Sequence, residues 1–233
     1  GVHMSRTSAF FRDHLPDLVE KGEVPMARVD ESVRKVLAIK ARLGLFEDPF
    51  RRIDEKREAA RSRTKTTLAL AREMAKKSLV LLKNEGDVLP LRKGGQKIAI
   101  IGPFASGQHD LNGPWCVYGD NKLAIDLETG VRNALGKSAQ ITVVKGSEVE
   151  APLAGGIDAA VAAARNADVV LLAIGESERM SGEAQSRSSI TVPAPQQALA
   201  EAVAATGKPV IVVLKNGRAL AFEPHVQIEH RAV

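Results

Sequence analysis

Four short, nearly continuous apolar runs constrain this chain most: Lys97–Ile101 (KIAII), Ile141–Val144 (ITVV), Asp168–Ile174 (DVVLLAI) and Pro209–Leu214 (PVIVVL). A strand with one face in water alternates apolar and polar residues. A run that is apolar at almost every position is expected where both faces are covered, as in a parallel sheet between layers of helix. The intervening stretches Asp126–Leu135, Ile157–Asn166 and Pro195–Thr206 are of helical length and rich in Ala or Leu. From residue 97 the order is therefore strand, helix, strand, helix, strand, helix, strand. Right-handed crossovers turn that order into an α/β sandwich, an open and mostly parallel sheet with helices on both faces. Ligands of such sheets sit beyond the carboxyl ends of the strands, which singles out the loops after Ile101, Val144, Ile174 and Leu214.

Aromatic residues make up only 3% of the chain, so its core must be built from Ala, Val, Leu and Ile. The net charge of +5 is concentrated at Arg51–Arg52 and between Lys56 and Lys65. No aromatic residue interleaves those charges for stacking on bases, so they read as a solvated linker and not as a nucleic-acid surface. The chain lacks an apolar run of about 18 residues, so no membrane helix is expected. Cys116 is the single cysteine, which rules out an internal disulfide and a thiolate metal cage. The start, Gly1-Val2-His3-Met4, looks like a cloning remnant and not a signal peptide.

Before the sandwich, Val29, Val33, Val36, Leu37 and Leu43 recur at helical spacing, with Asp30 placed as a cap and Gly44 as a stop. Only one shorter helix, at Phe10–Glu20, is available to cover that apolar face. Residues 47–64 are charged and open with a proline turn, which reads as linker, and a second long helix is expected at 66–83. The resulting division is isolated helices over 1–46, a linker over 47–65, the sandwich over 66–222 and a tail over 223–233.

Gly102-Pro103-Phe104-Ala105-Ser106-Gly107 follows the first strand. It lacks the lysine of a phosphate loop, and Pro103 removes an amide donor, so a tight turn is the expectation. The only tryptophan, Trp115, lies in the next loop; buried anchoring is the default for such a residue and a sugar-stacking platform the alternative. The third strand runs into Glu176, Ser177, Glu178, Arg179, Met180, Ser181, Gly182, Glu183, Ala184, Gln185, Ser186 and Arg187. Three carboxylates and two arginines on one loop at the ligand edge fit a functional carboxylate tuned between acid and base. They fit a structural ion-pair network equally well.

The segments ARVDESVRKVLAIKARLGLFEDPF, AREMAKKSLVLLKNEGDVLPL, KIAIIGPFA, LNGPW, DVVLLAIGESERMSGEAQSRSSITVP and GKPVIVVLKNGRALA resemble successive stretches of bacterial family 3 β-glucosidases, in order and with similar spacing. The resemblance runs from about residue 15 to Phe222. It implies a (β/α)8 barrel followed by a linker and an α/β sandwich, with retaining hydrolysis of terminal β-linked glucosyl residues between the two domains. The helix at 29–43 then corresponds to the end of the barrel. Glu183, within SGEAQSRSS, falls where the family carries its general acid/base. Glu176 is expected to support the loop or contact a sugar hydroxyl, Trp115 to contact sugar, and Arg187 either to orient Glu183 or to pin the loop.

The family's nucleophile is a barrel aspartate, and no aspartate of this chain matches it. The match also lapses after Asn216-Gly217-Arg218, where EPHVQIEHRAV has no recognisable counterpart. A missing final strand would expose a sheet edge and invite a homodimer. His225 and His230 in the tail read as incidental, not as metal ligands. Two rival readings stay open: a stand-alone module that binds sugar or dimerises, and a hydrolase of a small ester or lactone using Glu176, Glu178 and Glu183, with or without Ca²⁺. No other cofactor is expected. The parent enzyme is expected in the periplasm or outside the cell.

Overall fold

Every residue of the strand Val169–Gly175 is buried, which is what a near-unbroken apolar run dictates when helices cover both faces of its sheet. The computed structural model describes residues 2–136, 138–221 and 231–232. The chain forms two compact units, Gly1–Leu79 and Val80–Val233.

The second unit holds the sheet. Its elements are β1 (Lys97–Ile101), α5 (Leu127–Leu135), β2 (Gln140–Val144), α6 (Gly156–Arg165), β3 (Val169–Gly175), α7 (Ala194–Ala204), β4 (Val210–Lys215) and β5 (Arg231–Ala232). The strand order is β2-β1-β3-β4-β5 and every pairing is parallel. The chain leaves β1 for one side of the sheet and returns from β2 to the other, so the topological switch point lies between β1 and β3. Alternation along each strand divides the core. Ala99, Ile101, Val170, Leu172, Ile174, Val210 and Val212 pack with Ala160, Ala164, Leu199 and Val203 of α6 and α7. Ile98, Ile100, Val169, Leu171 and Ile211 pack with Leu127, Val131 and Leu135 of α5 and with Val88, Leu89 and Leu91. Helices therefore lie on both faces, as the sequence predicts.

At its open end β4 pairs Val210 with Arg231 and Ile211 with Ala232. Two residues of the tail thus take a sheet position, and the edge expected to stay bare beyond β4 is partly covered. His225, His230 and the rest of 222–230 lie outside the described residues.

The first unit comprises α1 (Phe10–Glu20), α2 (Met26–Arg42), α3 (Glu55–Arg61) and α4 (Lys65–Ser78). None of the four helices contains a buried residue. Three expectations need correcting. Asp30 does not cap α2, which begins after Pro25; Asp30 sits within the helix and pairs with Arg34 at 3.7 Å. The linker at 47–65 is partly helical, because Asp54 accepts the Arg57 amide and caps α3. The second long helix stops at Ser78, not at residue 83, and Leu79, Val80, Leu81 and Leu82 follow in exposed non-helical backbone. The boundary between the two compact units falls after Leu79.

Candidate active site

The carboxyl edge of the sheet gathers three loops. One leaves β1 and runs to Trp115, one leaves β3 and carries Glu176 to Arg187, and one leaves β4 through Asn216, Gly217 and Arg218. Gln196 of α7, wholly buried, braces the end of β3. Its Oε1 accepts from the Gly175 amide at 2.8 Å, and its Nε2 donates to the Gly175 and Val149 carbonyls at 2.9 and 2.7 Å. A glutamine in an Ala-rich helix gives no sequence signal of this role.

Beyond Gly175 the Glu176 amide donates to the Lys215 carbonyl at 2.8 Å, so the β3–β4 pairing continues into the loop. The Glu176 side chain is 1% exposed. Its Oε1 accepts from Arg187 Nη1 at 2.8 Å and lies 3.1 Å from Arg218 Nε. Arg187 also donates from Nη2 to the Thr191 carbonyl at 3.1 Å, and Arg218 donates from Nη2 to the Met180 carbonyl. Arg187 thus bridges Glu176 and the Thr191 carbonyl, and among the described residues no hydrogen bond or ion pair joins it to Glu183. Arg218, overlooked in the sequence, could have been noticed as a cation just past a strand at the ligand edge.

Glu183 is exposed, and among the described residues its carboxylate has no hydrogen-bond or ion-pair partner. The turn beneath it is tightly placed. Gly182 has φ +111°, and a Cβ there would stand 2.7 Å from Pro114 Cγ. A Cβ on Gly217 would run into Ser181 Oγ. The Ser181–Glu183 turn is thus held between the tryptophan loop and the β4 exit, and both close approaches depend on glycine. Trp115, next to Pro114, is 67% exposed. It is not the buried anchor that a lone tryptophan suggests by default; it presents its ring to solvent one residue from the contact that supports the Glu183 turn.

A cleft of about 510 Å³ opens at the switch point, lined among others by Phe104, His109, Asp110, Lys145 and Lys215. Glu176, Glu183, Trp115 and Arg187 lie outside its lining. Asp110 Oδ1 accepts the Glu178 amide at 2.8 Å, which ties the tryptophan loop to the β3 loop. Lys215 Nζ stands 4.5 Å over the Phe104 ring. Burial lowers the Lys215 pKa from its ordinary 10.5, against the attraction of Asp110 and Glu178. The glycine-containing turn is no anion cradle: the Gly102 and Gly107 amides are taken by the Val144 carbonyl and Asp126 Oδ2. Asp126 also caps α5, placing a carboxylate where a phosphate would sit.

Of the three loop carboxylates, Glu178 alone belongs to a cluster with metal-ligand spacing among the described residues. Glu176 is committed to two guanidinium groups, and the cluster is His109, Asp110 and Glu178.

Comparison with known proteins follows the same outline. The sequence model of the Glycosyl hydrolase family 3 C-terminal domain matches residues 79–233. The chain is 38% identical to the periplasmic beta-glucosidase of Salmonella typhimurium, over 95% of this chain and 32% of that protein. It is 32% identical to a beta-xylosidase of Formosa agariphila, over 89% of this chain and 29% of that protein. The crystal structure of the beta-glucosidase from Listeria innocua in complex with isofagomine superposes with a TM-score of 0.83 at 37% identity, covering 94% of this chain and 30% of that one. The chain thus spans about a third of the length of the relatives it matches.

Proposed function

The chain belongs to glycosyl hydrolase family 3, matched over that family's C-terminal domain, and on that premise we propose that it supplies the acid/base half of a β-glucosidase site, with Glu183 as the acid/base. The observation that carries this reading is the placement of Glu183: an exposed carboxyl on a turn clamped by two glycine close approaches, at the edge of the sheet where ligands bind. In retaining hydrolysis the Glu183 carboxylic acid gives its proton to the departing glycosidic oxygen while a second carboxylate attacks the anomeric carbon. The Glu183 carboxylate then takes a proton from water, and that water releases the sugar from the glycosyl-enzyme. The two carboxyl groups must stand about 5–5.5 Å apart, the second coming from the barrel domain.

Trp115 supplies an aromatic face for the sugar or its aglycone, in keeping with its exposure beside the turn. The glucosyl preference and a periplasmic parent follow the Salmonella relative. The test combines this chain with a family 3 barrel domain and compares Glu183→Gln with the unaltered chain on phenyl β-glucoside. Loss of turnover by about 10²-fold or more is expected. An unchanged rate removes Glu183 from the site.

A further inference from the structure

Glu176 has no chemical step in the reaction above, yet it is the one fully buried charged residue among those described. A carboxylate withdrawn from water is tolerated only when cations and hydrogen bonds replace its hydration. Here Arg187 donates a hydrogen bond to Oε1 and Arg218 stands at ion-pair distance from the same oxygen, while Oε2 has no hydrogen-bond partner among the described residues; the two guanidinium groups come from different places. Arg187 lies at the far end of the loop that begins with Glu176, and Arg218 lies beyond β4. Both arginines also donate to a backbone carbonyl of the same loop: Arg187 to Thr191 and Arg218 to Met180. One carboxylate therefore joins the start of the loop, its middle and its exit, and Glu183 stands between the middle and the exit. Ser181, backed against Gly217, adds a steric stop from the same side as Arg218.

We propose that Glu176 is a positioning residue, which through Arg187 and Arg218 fixes the loop from Ser177 to Thr191 and so sets where the Glu183 carboxyl stands. The proposal rests on the assignment of Glu183 made above. Glu176 cannot itself be the proton donor, because its side chain is only 1% exposed and a leaving group cannot reach it.

Two readouts test it. The first uses the chain by itself. Arg179 is exposed within the short 3₁₀ turn Glu178–Met180, so trypsin cleaves after it only when the loop opens. Glu176→Gln, which keeps the shape and removes the charge, is expected to speed that cleavage about tenfold or more while the melting transition persists. Cleavage no faster than in the unaltered chain overturns the proposal whatever the kinetics.

The second readout separates positioning from general destabilisation, using the chain with a family 3 barrel domain supplied in trans. A phenol leaves only with help from an acid, whereas a dinitrophenolate leaves without it. Glu176→Gln is expected to lower kcat/KM for phenyl β-glucoside by about tenfold or more and to leave kcat/KM for dinitrophenyl β-glucoside, which reports bond cleavage before the base step, within about threefold. An equal fall in kcat/KM on both substrates marks a merely structural ion pair and overturns the proposal. Glu183→Gln runs alongside. If it shows no dependence on the leaving group, the acid/base reading fails; if it does and Glu176→Gln does not, only the positioning role fails. Should Glu176→Gln not fold, Arg218→Lys takes its place in both assays, since lysine keeps the charge but cannot reach Glu176 and the Met180 carbonyl together.

Discussion

Gly182 shows how a single residue sets the geometry of this edge. With φ +111° and Pro114 where a Cβ would go, it has neither the conformation nor the space for a side chain. Gly182→Ala should therefore cost about 1–3 kcal/mol, read from the urea midpoint, and should shift the emission of Trp115, the only tryptophan. Unchanged emission would mean that the two loops do not lean on each other. Lys215 gives a pH-dependent counterpart. Burial lowers its folded pKa below 10.5, so between the two values the folded state has lost a proton that the unfolded state keeps. Stability gained from this group must then rise with pH through that window. The stability difference between the unaltered chain and Lys215→Met should grow in favour of the unaltered chain as pH climbs toward 10.5. A flat difference across alkaline pH would contradict the half-buried placement.

Elements carry the next scale. Helix α5 starts where it does because Asp126 accepts the Thr129 amide at 2.9 Å, and the same carboxylate takes the Gly107 amide at 2.7 Å. Its pKa lies below 3.8: burial acts to raise it, but the hydrogen bonds from Thr129 and Gly107 prevail. The folded state thus binds this proton more weakly than the unfolded state does. The stabilisation is fully present above pH 3.8 and lost as pH falls through the lower folded value. Asp126→Ala should cost about 1 kcal/mol at neutral pH and almost nothing once the carboxyl is protonated in both states, as equilibrium unfolding across acid pH would reveal. The elements also show where sequence legibility stopped. Asp126 stands directly before an apolar periodic run and was readable as the start of α5. Asp30 carried the same chemical signal inside α2 and does not cap it, because an aspartate caps only when its own backbone is still non-helical.

For the molecule as a whole, the two units differ in how they hold together. The unit Val80–Val233 has a two-faced core, whereas the helices of Gly1–Leu79 bury no residue at all. Hydrogen exchange should find its slowest amides in β1, β3 and β4 and rapid exchange throughout α1 to α4. Slow amides in α2 would show that its apolar face is covered in solution. The four strands, three sandwich helices and their order were legible because a doubly covered strand must be apolar throughout, a local property that survives in a linear sequence. The loop carboxylates were legible as a group, but their roles were not. Nothing local separates Glu176 from Glu183, seven residues along one polar loop.

The sequence alone determined the class of fold, the edge at which to look and, through resemblance to a family, the glutamate to examine. Only the tertiary structure decided which carboxylate is withdrawn from solvent and which is left free. That choice depends on Arg218 and Pro114, groups brought in from other strands' loops, and a chain records such meetings only once it has folded.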